Sequence, residues 1–161
     1  MTTQQYLSWF EEVVAPTVPM FKLVPPDKLD WKITPRSFAL GQLIDHIPKS
    51  LGFNGKVIAG EELPLKSMRE ILVSNRRQPS STVDEAVHLF ESVAAKFRQQ
   101  VLALGDERFQ TGEVETPQFG KRLIWRYSAF IIEHHIHHLM ELHLSLKALD
   151  INVHTGTLYR G

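Results

Sequence analysis

The chain of 161 residues contains no cysteine. That absence excludes disulfides, a cysteine nucleophile, thiolate zinc sites and cysteine-held iron–sulfur clusters. An excess of either charge is also missing: 18 Lys+Arg stand against 18 Asp+Glu, a formal net charge of +0 with neutral histidines. Duplex binding draws on a basic surplus, so no nucleic-acid partner is expected. No apolar run reaches the ~20 residues that a bilayer requires, and no basic segment leads into an apolar stretch at the start. Neither a membrane partner nor a signal peptide is therefore expected, and the expected location is the cytoplasm. Strong strand patterns, internal repeats and low-complexity tracts are lacking too. What remains is 43% hydrophobic and 22% charged, a globular composition. The length suits one domain over residues 1–161.

Helical spacing dominates. Tyr6, Leu7, Phe10, Val13 and Val14 form one stripe over Thr3 to about Val14, limited or kinked by Pro16 and Pro19. A proline-rich connector follows. Ser37 is placed to cap a second helix with Leu40, Leu43, Ile44, Ile47 and Leu51 on its apolar side. Pro48 lies inside that pattern and predicts a kink or an early break; the pattern fades toward Glu61-Glu62-Leu63-Pro64. Thr82-Val83-Asp84-Glu85 reads as a capping box opening a third helix, with Gly105 as its stop. Residues 106–120 suit a short hairpin or an extended loop. A fourth helix is expected from about Lys121 to Leu149, then an irregular tail from Asn152. Four amphipathic segments around one core predict an all-α four-helix bundle with a long connection between helices two and three.

Five of the 8 histidines crowd into residues 134–143: His134, His135, His137, His138 and His143. His134 and His138 are one helical turn apart, on the face that carries Tyr127, Phe130 and Ile131. His135 and His137 should point to the flanks. Two imidazoles can share one metal ion, and a third ligand must come from another helix. His46, among Leu43, Ile44 and Ile47, is the natural candidate. Three converging imidazoles leave coordination positions open, as reactive metal sites do. The same residues also suit hydrogen-bonded core histidines. His88 should be solvated, and His154 sits in the tail. A zinc-protease helix is excluded because His135 occupies the position of its glutamate. Gly52-Phe-Asn-Gly55-Lys56 is too short for a phosphate loop and continues with Val57.

Leu29-Asp30-Trp31-Lys32-Ile33-Thr34-Pro35-Arg36-Ser37 with Leu40-Gly41-Gln42-Leu43-Ile44-Asp45-His46-Ile47 resembles the first signature of the DinB-like proteins. Glu133-His134-His135-Ile136-His137-His138, Leu142 and the run from Leu146 to Ile151 resemble the second, and Gly156-Thr-Leu-Tyr159 resembles the family's tail. The resemblance implies an up-down-down-up course, frequent dimers (here a homodimer) and a divalent metal, commonly zinc or nickel, on three histidines. Carried over, these are His46, His134 and His138. Where the family commonly has Arg-Gly-Gln, this chain has Leu139-Met140-Glu141, so Glu141 orients a ligand, adds a carboxylate or is a surface residue. Pro48 is a second departure.

Some DinB-like proteins are metal-dependent thiol transferases, and others are maleylpyruvate isomerases with a thiol cofactor. The resemblance therefore implies a transferase joining an external low-molecular-weight thiol to a small-molecule electrophile. The sulfur must come from outside, because the chain has no cysteine. Glu141 and His137 are the acid–base candidates. A non-catalytic metal-binding stress-response bundle and a metal hydrolase using bound water are the alternatives.

Overall fold

The computed structural model describes residues 1–61, 69–70 and 79–160. The expected fading of the second helix at Glu62-Leu63-Pro64 lies outside the described residues.

Thr2 caps α1, Thr3–Val14, and Gln5 bonds back to the Thr2 backbone. Tyr6, Leu7, Phe10 and Val14 are buried along it, as the spacing predicts. Pro16 and Pro19 do more than limit this helix. A separate short helix, α2, Thr17–Phe21, follows, with Pro16 at its N-cap, Pro19 in its first turn and Thr17, Met20 and Phe21 buried.

Ser37 does not cap the next helix. It closes a turn with Thr34, and α3, Leu40–Ala59, starts two residues later than expected, with Ala39 at the N-cap. The connector explains the shift. Its Trp31 and Leu29 carbonyls accept the Leu40 and Gly41 amides, and the Gln42 side chain accepts from the Ala39 amide. The first-turn donors are therefore met without a serine cap. Nor does Pro48 break α3, which stays helical to Ala59 and closes on Gly60 in the left-handed region (φ 74°). One missing amide is tolerated because the turn around it is anchored. Asp45, buried, accepts from Ser81 Oγ at 2.7 Å and from Lys49 Nζ at 2.6 Å, while Ile44, Ile47 and Leu51 are in the core.

The expected capping box opens α4, Val83–Thr111: Thr82 accepts from the Glu85 amide and Glu85 accepts from the Thr82 amide. Gly105 (φ 68°, ψ 161°) stops the helical geometry as expected, and a second helical stretch follows it directly to Thr111. The break places Asp106 at the start of α1, where it accepts from the Thr3 amide and hydroxyl, both at 2.8 Å.

Strands β1, Glu113–Thr116, and β2, Gly120–Leu123, form the hairpin, with Glu113 opposite Leu123 and Thr116 opposite Gly120. Residues expected to begin the last long helix are thus strand. That helix, α5, runs Ile124–Ala148. The tail is not irregular throughout, since α6 spans Thr155–Arg160 and buries Thr157.

The course of the four long helices follows from which residues meet. Ser81 bonds to Gly41 and Gln100 lies against Gly55, so α3 and α4 run parallel. Thr3 meets Asp106 and Glu11 meets Arg98, so α1 and α4 are antiparallel. Ser50 meets His134 and Asn54 meets Tyr127, so α3 and α5 are antiparallel. The result is an all-α four-helix bundle with an up-down-down-up course. Its long connection, residues 60–82, is what two parallel neighbours require. Gly55 is one reason that α3 and α4 come close: a Cβ there would stand 2.4 Å from Gln100 Oε1 and 3.2 Å from the Phe97 ring. Gly52 and Gly55 both lie inside a helix, Gly55 packed against Gln100 and Phe97, and they form no phosphate cradle.

Candidate metal centre

Antiparallel packing of α3 on α5 brings one histidine from the first helix to a pair on the second. His46 is buried at 5% exposure, His138 at 7%, and His134 is half-buried. One ring nitrogen from each of the three lies within 4.8 Å of the other two. His134 Nε2 and His138 Nε2 are 3.2 Å apart. Two nitrogens bound to one tetrahedral ion by bonds of about 2.0–2.1 Å stand about 3.3–3.4 Å apart, so this pair fits a shared ion. The His46 ring is 4.6 Å from that of His138 and 5.7 Å from that of His134.

The outward nitrogens of the α5 pair are held from behind. Glu141 Oε2 is 3.1 Å from His138 Nδ1, and Ser50 Oγ is 3.0 Å from His134 Nδ1. Such contacts fix ring orientation and turn the two Nε2 atoms toward each other. Burial, with the neighbouring His138, His46, His137 and His135 as lesser causes, pushes the His134 pKa down to about 3. His134 is therefore neutral at pH 7, as a ligand must be. The hydrogen bond with His138 holds the Glu141 carboxyl below its ordinary value, against the opposing effect of burial. The donor set is thus neutral imidazole with a carboxylate behind it, which suits a borderline divalent ion. The His-rich group can bind such a metal.

Aromatic rings surround the cluster. Phe38 stacks on His46 at 4.9 Å, and Phe130 lies 5.5 Å from His134. Phe119, from the hairpin turn, packs edge-on against Phe130, with Arg122 over its face at 4.4 Å. Beside the histidines is a cavity of about 10 Å³, lined in part by Ser50, Asn54, His134 and His138. That is about the space of a single water.

The sequence-based site residues divide clearly. His46, His134 and His138 come together, and Glu141 joins them through His138. His137 is exposed, with its ring 5.0 Å from that of His138. It belongs to a second group with metal-ligand spacing, His137, His138 and Glu141. The two groups compete for His138, whose Nδ1 is already engaged by Glu141. His88 and His154 are exposed.

His135 corrects the expectation of a flank position. It is 6% exposed, and its Nε2 is 2.9 Å from Thr17 Oγ1. The reason is α2, which covers a side of α5 that helical spacing alone leaves open. His143 is buried as well, and its Nδ1 has no hydrogen-bond partner among the described residues. Glu141, singled out in the sequence, is one turn from His138 on the same helix, whereas Ser50 and Asn54 could be found only by pairing α3 with α5 in the correct register.

A four-helix bundle of this course, with three imidazoles converging from its second and fourth long helices, defines a class of helical proteins suited to hold a divalent ion. The sequence model of the DinB superfamily matches residues 10–142, and the chain belongs to that family. Two solved structures share the fold. A DinB-like protein from Bacillus cereus aligns with TM-score 0.74 at 16% identity, over 95% of this chain and 96% of its own. A DinB-like protein from Bacillus subtilis aligns with TM-score 0.68 at 19% identity, over 91% and 92%. No curated protein matches the sequence.

Proposed function

We propose that this chain holds a divalent metal, zinc or nickel, on His46, His134 and His138 and transfers an external low-molecular-weight thiol to a small-molecule electrophile. The observation that carries the reading is the convergence of three imidazole nitrogens within 4.8 Å, two of them backed by Glu141 and Ser50. A divalent ion on three neutral ligands supplies positive charge that lowers the pKa of a thiol in an open coordination position. The reaction forms a bond from the thiol sulfur to the electrophilic carbon. The leaving group departs with the electron pair of the broken bond, and the thiol proton goes to a base. Glu141 is committed to His138, so His137, exposed, is the better placed of the two acid–base candidates. The aromatic rim of Phe38, Phe119 and Phe130 offers an apolar surface for the electrophile.

The reading places this chemistry in the cytoplasm, where small thiols are kept reduced. It also includes a homodimer. Trp9, Ile136, Met140, Leu158 and Tyr159 line one cavity of about 630 Å³ between α1, α5 and α6, and Trp9, Ile136, Met140 and Tyr159 in it are exposed. Met140→Glu should yield a monomer by sedimentation if this face closes the dimer.

The decisive assay follows conjugation of a small thiol to monochlorobimane, with the metal-loaded protein and with chelator-treated protein. Turnover that needs both thiol and metal, and that His134→Ala abolishes, supports the proposal. Full activity without metal contradicts it. The burial of His46 and His138 under Phe38 favours one competing reading, a non-catalytic bundle that binds metal in a covered site. Such a protein gains stability with metal and turns over nothing. A hydrolase cleaves esters or amides without thiol.

A further inference from the structure

Behind His134 a line of polar groups, buried at Tyr127 and Asn54 and half-buried at Ser50, runs across the interface between α3 and α5. Tyr127 is fully buried, and its hydroxyl donates to Asn54 Oδ1 at 2.5 Å. Asn54, 5% exposed, donates through Nδ2 to the Ser50 carbonyl at 2.9 Å and to Ser50 Oγ at 3.3 Å. Ser50 Oγ then faces His134 Nδ1 at 3.0 Å. None of these groups carries charge. Burial raises the Tyr127 pKa, which keeps the phenol a donor.

The polarity of the line follows from chemistry. A neutral phenol that donates to Asn54 must meet its oxygen, so the amide nitrogen is turned toward Ser50. A serine oxygen has two lone pairs and can accept from Asn54 and from an imidazole N–H together. We propose that Tyr127, Asn54 and Ser50 are positioning residues for the metal centre, which hold His134 as the Nδ1–H tautomer with Nε2 aimed at the ion. This rests on the metal-site reading given above. It adds an asymmetry to it: His138 is backed by a carboxylate and His134 by a neutral relay.

A purely structural role is the competing explanation, because buried polar groups must be satisfied wherever they occur. The two are separated by measuring zinc affinity, by competition with a chromophoric chelator, in parallel with unfolding of the metal-free protein. The variants are Ser50→Ala, Ser50→Thr and Tyr127→Phe. Loss of a group that orients a ligand commonly costs about 10–100-fold in metal affinity. Ser50→Ala should fall in that range, Tyr127→Phe should lose about tenfold or less, and Ser50→Thr, which keeps the hydroxyl, should recover most of the loss. Nitrogen-15 spectra of the zinc-loaded protein should show His134 protonated at Nδ1, and Ser50→Ala should move that signal while leaving His138 unchanged. Zinc affinity in Ser50→Ala and Tyr127→Phe equal to the parent, whatever happens to the unfolding midpoint, would overturn the proposal. A parent protein that takes up no zinc overturns the metal reading beneath it, which is a different and recognisable failure.

Discussion

Glu141 gives the sharpest single perturbation. Its carboxylate is 3.1 Å from Nδ1 of a nearly buried His138, and its own side chain is 25% exposed. Replacing it with glutamine keeps an acceptor of similar shape and removes the charge. A charge-assisted hydrogen bond is roughly twice as strong as a neutral one, and ligand-orienting partners commonly contribute about 10–100-fold to metal affinity. Glu141→Gln should therefore weaken zinc binding about tenfold, or about 1.4 kcal/mol, and Glu141→Ala should approach 100-fold. Chelator competition at pH 7 and fixed ionic strength reads the change. Affinity unchanged in Glu141→Ala refutes the reasoning. The pattern across variants also separates the two possible centres. If the ion sits on His137, His138 and Glu141 instead, Glu141→Ala and His137→Ala abolish binding while His46→Ala leaves it intact.

Acid stability is the second expectation. Burial first of all pushes the pKa of His134 down to about 3 and that of His135 to about 4, from 6.5. The unfolded chain takes up these protons below about pH 6.5 and the folded chain does not. The stability they contribute is full above about pH 6.5 and is lost as pH falls toward about 4, at up to about 1.4 kcal/mol per pH unit for each histidine. Urea midpoints of the metal-free protein that stay level from about pH 6.5 to about pH 4.5 would contradict this. Third, Thr17→Val should leave buried His135 Nε2 without its partner and cost about 1–3 kcal/mol of stability, with zinc affinity unaffected; a change in affinity instead would place His135 in the centre.

Much of the architecture was legible because local chemistry and tertiary packing agree. Helix α1, the Thr82 capping box and the hairpin are set by residues close in sequence. The departures have a common cause. Pro48 is a breaker by local rule, but α3 is anchored through Asp45 to Ser81; Gly105 does interrupt α4, and the segment that continues beyond it is tied to α1 through Asp106. Ser37 lost its capping role to the Leu29 and Trp31 carbonyls, which no side-chain pattern reveals. His135 was misplaced because α2, only five residues long, is too short to show periodicity. The convergence of the three histidines proposed to hold the metal was legible because two share a helical face and the third lies on an apolar stripe. Glu141 was legible behind His138 from its place on the same helix, but Ser50 and Asn54 were not, because Ser50 meets His134 only across an interface whose register sequence does not specify.

Metal content tests the central claim most directly. The protein, purified without a tag, should carry or take up about one zinc or nickel ion per chain, and the His46→Ala/His138→Ala double variant should lose it while staying folded. No uptake by the parent on titration with either ion, or full retention by the folded variant, would contradict the assignment of His46, His134 and His138 as a metal centre.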